Sequence, residues 1–233
     1  MNSDFHIGSE LTETQIQENY DRFIEFLKQN FSGARLEGLL KMYSEDELGL
    51  SLATAPASSK IQFHHAWQGG YLQHVMHVEM VSRGVRKLYS TIGGLCNFTD
   101  EERVFAALHH DLGKLGDENG PLYIRNDSEW YVKNSGEIYK FNPDLQHMRV
   151  TERALYLLQK YGIAVTNAEW LAIRTSDGLY DESTKEYFVT HDINKNLKTN
   201  LPYIIHWSDI IACRAEGDDW KRMNQQDDKG TIE

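Results

Sequence analysis

The chain has 233 residues, of which 40% are hydrophobic and 25% are charged, as is typical of a globular protein with one sizeable core. Its formal net charge of −11 disfavours duplex DNA as the main partner, because the summed field of the protein would repel the phosphate backbone. Cys96 and Cys213 are far apart and form no CxxC motif, so the sequence indicates neither a disulfide framework nor a thiolate zinc site.

Residues 1–50 are predicted to form an amino-terminal helical extension. Apolar residues recur at helical spacing from Leu11 to Phe31, and Thr12 followed by Gln15 predicts a capping box at the start of this helix. The amino terminus has no basic start followed by an apolar run, and no stretch of about 18 apolar residues occurs in the chain. We therefore expect a soluble cytoplasmic protein that neither spans nor binds a membrane.

Two helices in the middle of the chain carry the most informative polar residues. The first should begin after the glycine pair at 69–70, because the apolar residues that follow share one stripe, and this helix contains His74. The second should begin at a capping box formed by Thr99 and Glu102, and it leads into the string HHDLGK at 109–114.

Residues 129–141 are predicted to form a β-hairpin, because β-prone residues flank an Asn-Ser-Gly turn at 134–136. Helices should resume after it, and the last should cover 201–217. The charged residues 218–233 are then predicted to be a flexible tail. The expected fold class is all-α, a helical bundle with one small inserted β-hairpin.

Four residues are candidate ligands of a metal ion. His110 and Asp111 are about 100° apart on a helix, so both can reach one cation if that face looks into a cavity. His74 and Asp209 each interrupt an apolar helical stripe, where a polar side chain is costly without partners. Imidazole and carboxylate ligands suit Mn, Fe, Co, Ni, Zn or, less readily, Mg. We expect one divalent ion and leave a second open.

The segments APASSKIQFHHAWQGGYLQHVMHV (55–78) and HHDLGKLG (109–116) resemble the HD-domain superfamily of phosphohydrolases, most closely the HD domain of bacterial 3′→5′ exoribonucleases and their relatives. This resemblance implies an HD-domain helical bundle over 51–217. It also implies that His74, His110, Asp111 and Asp209 hold the metal, in the order H…HD…D.

Further site residues follow from the same resemblance. Lys114 matches a lysine that faces the substrate phosphate, and Asp111 and Lys114 are the expected catalytic residues. His147 lies where two-metal relatives supply another histidine. At the next such position this chain has Ser176 and Asp177, which makes Asp177 the candidate replacement. In the resembling family the pair that matches His64 and His65 lines the site, so both are expected to bind substrate. Two further candidates come from side-chain chemistry, since arginine suits a bidentate contact to phosphate: Arg149 and Arg174. Trp67, beside the HHA segment, is a candidate for stacking on a nucleobase. For the two histidines, a structural role as a cap or loop donor is the alternative.

The resemblance implies hydrolysis of a phosphomonoester or phosphodiester, with a small nucleotide or cyclic nucleotide as the expected substrate and a metal-activated water as nucleophile. One alternative is a 3′→5′ exonuclease acting on single-stranded RNA or DNA, although no strand-rich nucleic-acid module precedes residue 55. Another is a degenerate scaffold that binds a nucleotide or a partner. An HD-type oxygenase would need the histidines for two irons, and this chain departs from that set at Ser176.

Overall fold

Helices dominate the computed structural model, which describes residues 5–8, 11–190 and 192–227, with side chains described as far as 222. The α-helices in these residues are Glu13–Asn30 (α1), Gly33–Met42 (α2), Gly49–Thr54 (α3), Gly70–Thr91 (α4), Asp100–His109 (α5), Glu129–Ser135 (α6), Val150–Lys160 (α7), Asn167–Arg174 (α8), Lys185–Phe188 (α9) and Leu201–Asp227 (α10). A two-stranded antiparallel sheet joins Tyr123–Arg125 (β1) to Tyr139–Phe141 (β2). The prediction of a mostly helical fold with one small β-hairpin is confirmed.

Local capping signals fix where three of the helices begin. Thr12, Thr99 and Thr166 each accept a hydrogen bond from the backbone N–H three residues later, and the side chain at that later position bonds back to the threonine N–H. Each box satisfies two of the backbone donors that a helix start leaves unpaired. No helix among the described residues is both long and apolar enough to cross a bilayer.

The position of the hairpin differs from the prediction. Residues 129–135 are helical (α6), and the paired strands lie on either side of this helix at 123–125 and 139–141. Gly136 has φ +63° and ends α6, with its N–H bonded to the carbonyl of Val132. A helix end and a tight hairpin turn both favour a glycine with positive φ, so the Asn-Ser-Gly pattern alone could not distinguish them.

The last helix is longer than expected. Its predicted end at Gly217 is wrong, because α10 continues to Asp227. A Cβ atom built on Gly217 would meet nothing within 4 Å, and the residue does not adopt positive φ, so the helix passes through it without a break. Residues 228–233 of the predicted flexible tail lie outside the described residues.

Helix α4 lies at the centre of the fold, where it packs against α10 and α5, and α8 packs against both of these helices. The amino-terminal helices share the same core, since Phe23 and Leu27 of α1 belong to one buried cluster with Tyr71 and Leu72 of α4. The three helices α4, α5 and α10 each contribute a residue to the site described next.

Candidate metal centre

The site forms where the start of α4 meets the end of α5 and the middle of α10. His74 lies in the first turns of α4, His110 caps the end of α5 with Asp111 following it, and Asp209 lies on α10. The start of α4 requires a glycine, because a Cβ on Gly70 would lie 2.1 Å from the carbonyl oxygen of His65. The glycine pair therefore allows the chain before α4 to fold back tightly against the helix that carries His74.

The four predicted ligands converge on one point. Nε2 of His74 lies 3.4 Å from Oδ2 of Asp111 and 3.3 Å from Oδ1 of Asp209. Nε2 of His110 lies 3.5 Å from the same oxygen of Asp111 and 3.6 Å from that of Asp209. The ligand atoms of His74, His110 and Asp111 all lie within 4.8 Å of one another, so these buried residues could hold a metal ion. Asp209 adjoins this set through its contacts with both histidines.

The two Nε2 atoms are buried and make no hydrogen bond. Their separations from the carboxylate oxygens exceed the usual hydrogen-bond range of about 2.7–3.2 Å. With metal–ligand bonds of about 2.1 Å, neighbouring ligands of a tetrahedral ion are roughly 3.4 Å apart. The spacing of these atoms therefore fits a shared cation better than direct hydrogen bonds.

The second nitrogen of each histidine has a partner that orients the ring. Nδ1 of His110 lies 2.9 Å from the carbonyl oxygen of Ala107, and Nδ1 of His74 lies 3.0 Å from Oε2 of Glu216. When Nδ1 carries the proton and donates, Nε2 presents a lone pair to the site. Sequence reasoning missed Glu216, although it lies seven residues after Asp209 and therefore on the same face of α10.

The local charges favour a cation at this point. Burial alone would lower the pKa of His74, but Glu216, Asp111 and Asp209 together outweigh burial and raise that pKa well above its usual value. Burial likewise opposes a charged His110, whose pKa Asp111 nevertheless raises. Burial would raise the pKa of Asp209, but the two histidines hold it well below its usual range. The carboxylates thus stabilise positive charge between the imidazoles, as they would stabilise a metal ion.

A cavity of about 400 Å³ opens beside the cluster. Its lining residues are His64, Asp111, Lys114, Arg149, Val150, Asp177, Tyr180, Asp181, Asp209 and Cys213. Burial by itself would lower the pKa of Lys114, but its neighbours, chiefly Asp111, together outweigh burial and raise that pKa, which keeps the ammonium charged. Burial and then Lys114 lower the pKa of His64 to about 3, so this imidazole is neutral at the cavity wall.

Arg149 lines the cavity and is held in place by Asp181. Its Nη1 atom lies 2.8 Å from Oδ2 of that carboxylate. Asp177 also lines the cavity, where burial and the charge of Asp111 raise its pKa. These two predicted site residues therefore lie in the same cavity as Asp111.

Other predicted residues lie elsewhere. His147 is exposed and does not line the cavity. Arg174 also lies outside it, with Nη1 3.4 Å from Asp181 and Nη2 3.6 Å from Glu152. The structure therefore does not bring His147 into a second metal position or Arg174 into the cavity.

His65 and Trp67 pack against each other. The ring centroids of these two residues are 4.7 Å apart, and Nδ1 of His65 lies 3.9 Å from Oε1 of Glu216. Neither residue lines the cavity beside Asp111. The structural alternative for His65 was a cap or loop donor, but its Nδ1 makes no hydrogen bond.

Cys213 is a site residue that sequence reasoning did not identify. Its thiol lies 3.3 Å from Oδ1 of Asp209, and its sulfur lies within 4.8 Å of ligand atoms of His64 and His74. Burial raises the pKa of this thiol, so it remains protonated at neutral pH. The signal in the sequence was its position four residues after Asp209, one helical turn along the same face.

Comparison with protein-family models, with curated proteins and with solved structures found no match to this chain.

Proposed function

We propose that this protein is a metal-dependent phosphohydrolase of the HD type that acts on a small phosphate ester, a nucleotide or cyclic nucleotide. The observation that carries the proposal is the pair of buried, unbonded Nε2 atoms of His74 and His110, each facing the same two carboxylates. A buried polar atom without a partner is costly in a native protein, and a shared cation removes that cost for both atoms.

The donor set suits a divalent ion with nitrogen and oxygen ligands. His74, His110, Asp111 and Asp209 would hold it, and the choice lies among Mn, Fe, Co, Ni, Zn and Mg. When bound, such an ion lowers the pKa of a coordinated water and polarises a phosphoryl oxygen. We favour a single ion. The candidate ligands of a second ion were His147 and Asp177, and of these only Asp177 lines the cavity.

The cations of the cavity are suited to binding a phosphate ester. Lys114 lies next to Asp111, with Nζ 2.5 Å from Oδ2, so its charge is available where a phosphoryl oxygen would develop negative charge. Arg149 lines the same cavity, and its guanidinium can bind a second phosphate oxygen. The carboxylates Asp177 and Asp181 favour a substrate that places hydroxyl donors beside its phosphate, as a sugar phosphate does.

The size of the cavity favours a small substrate. Pockets of about 300–1,000 Å³ enclose small-molecule ligands, and this cavity lies near the lower end of that range. A long single strand would require an extended basic groove with stacking aromatics. The acidic net charge of the chain also opposes binding of a long polyphosphate. We therefore favour a mononucleotide over an RNA or DNA end.

The test combines metal content with a substrate screen. Protein purified without chelators should contain about one divalent ion per chain by mass spectrometry of the metals, and it should release phosphate or a nucleoside monophosphate from a panel of nucleotides and cyclic nucleotides. Asp111→Ala should lose both the metal and the activity, because the remaining ligands form an incomplete shell. Asp144→Ala is the control, since Asp144 is exposed and does not line the cavity. A wild-type protein that binds no divalent metal under any loading condition would refute the proposal.

A further inference from the structure

We infer that Glu216 is a positioning residue of the metal centre, which accepts the Nδ1 proton of His74 and thereby fixes the tautomer and the ring orientation with which Nε2 faces the ion. The inference rests on the proposed metal centre and deepens it. It assigns a role to Glu216, a carboxylate near the predicted end of the last helix, where charged residues are common.

The contacts of Glu216 are directed at histidines. Oε2 lies 3.0 Å from Nδ1 of His74, and Oε1 lies 2.8 Å from Nδ1 of His77. Nδ1 of His65 lies 3.9 Å from the same Oε1, and this buried nitrogen makes no hydrogen bond. Glu216 itself is only 1% exposed, so these imidazoles replace the water that a carboxylate would otherwise bind.

The geometry of His74 distinguishes positioning from ordinary packing. Its imidazole lies between Glu216 on one nitrogen and the carboxylates of Asp111 and Asp209 on the other. An imidazole that donates through Nδ1 has its lone pair on Nε2, the atom that lacks a hydrogen bond. A carboxylate partner also makes the imidazole a stronger ligand, and loss of such a partner typically weakens metal binding 10–100-fold.

His77 completes the arrangement by holding the other oxygen of the carboxylate. It is on α4 one turn after His74, whereas Glu216 is on α10, so one carboxylate joins two helices that carry ligands. With both oxygens engaged, the carboxylate cannot rotate away from His74 without breaking the contact with His77. The His77→Gln variant should therefore weaken metal binding in the same direction as a change of Glu216, but to a smaller extent.

The experiment measures metal affinity rather than turnover. Glu216→Gln keeps the shape of the side chain and removes its charge, and we expect it to weaken the binding of Zn²⁺, measured by competition with a chromogenic chelator, by 10–100-fold. The matched control is Glu169→Gln, which also changes a fully buried glutamate, one that pairs with Arg35 and does not line the cavity. The control should leave the affinity for Zn²⁺ within twofold of wild type.

A spectroscopic measurement tests the tautomer in the unaltered protein. In the Zn²⁺-loaded wild type, nitrogen-15 NMR should find a proton on Nδ1 of His74 that exchanges slowly and resonates downfield. In Glu216→Gln this proton should shift upfield and exchange faster. A purely structural carboxylate would leave both observations unchanged.

The outcomes separate this inference from the proposed function. If wild type binds Zn²⁺, Asp111→Ala does not, and Glu216→Gln binds as tightly as wild type, then Glu216 has no positioning role while the metal centre stands. The inference also fails if Nδ1 of His74 carries no proton in the loaded wild type, a result that needs no variant to fold. If wild type itself binds no divalent ion, the proposed function fails, and this inference fails with it.

Discussion

Nζ of Lys114 lies 2.5 Å from Oδ2 of Asp111 and 3.4 Å from Nε2 of His64. The lysine thus stands between a proposed metal ligand and the wall of the cavity. Lys114 contacts a proposed metal ligand but is not itself one of the proposed ligands. Substitutions of Asp111 and of Lys114 should therefore have different effects.

We expect Lys114→Ala to keep its metal and to lower kcat by about 10²-fold, or ~3 kcal/mol, because one donor to the transition-state charge is lost. The measurement is kcat on the substrate found in the screen, together with metal content. Lys140→Ala is the control, since Lys140 pairs with Asp127 on the surface of the sheet. A Lys114→Ala protein that lost its metal would show that Lys114 supports the ligand shell and does not act on the phosphate.

Arg149 and Arg174 should differ in their effect on substrate binding. Both contact Asp181, but only Arg149 lines the cavity. Arg149→Ala should raise KM by about 10-fold, the loss expected for one hydrogen bond to a charged group, with a smaller change in kcat. Arg174→Ala should raise KM by less than half of the factor expected for Arg149→Ala. Equal effects of the two substitutions would place the phosphate away from the cavity lining described here.

Gly70 should tolerate no side chain, whereas Gly84 of the same helix should. A Cβ on Gly70 would collide with the His65 backbone, so Gly70→Ala should lower the free energy of unfolding by about 1–3 kcal/mol and weaken metal binding at His74, one turn away. Gly84 has nothing within 4 Å of its Cβ position, and Gly84→Ala should raise the free energy of unfolding by about 0.5–1 kcal/mol. Urea unfolding checks both changes, and a stable Gly70→Ala would contradict the tight turn before α4.

Metal should stabilise the fold in a pH-dependent way. At a free concentration 100 times Kd, an ion that binds only the native state adds about 2.7 kcal/mol to the free energy of unfolding. Carboxylates raise the pKa of His74 and of His110 against the effect of burial, so protons compete with the metal for both nitrogens. The metal-induced rise in Tm should therefore shrink as pH falls from 7.5 to 5.5, and a rise independent of pH would argue against histidine ligands.

Much of the local structure follows from residues that are close together in the chain. The capping boxes at Thr12 and Thr99 both formed where they were predicted, because the two partners of each box lie three residues apart and need no distant contact. The mostly helical fold follows for a similar reason, since apolar periodicity selects the buried face of each helix.

Where a local pattern has two solutions, distant contacts decided between them. The glycine at 136 fits either a hairpin turn or a helix end, and the choice depends on strand 123–125 pairing with strand 139–141 and on the bond from the Ile61 N–H to the Gly136 carbonyl. The helix end therefore could not be read from the tripeptide alone.

The residue types of the candidate site were readable because His74 and Asp209 are polar groups on apolar helices. Their convergence with His110 depends on the tertiary structure, because it requires α4, α5 and α10 to pack together. The same packing buries Glu216 against His74, 142 residues away, and places Arg149 but not Arg174 in the lining of the cavity. Contacts within one helical turn depend on residues that are close together in the sequence. The partner of a buried charge depends on how the helices pack, which a short stretch of sequence does not determine.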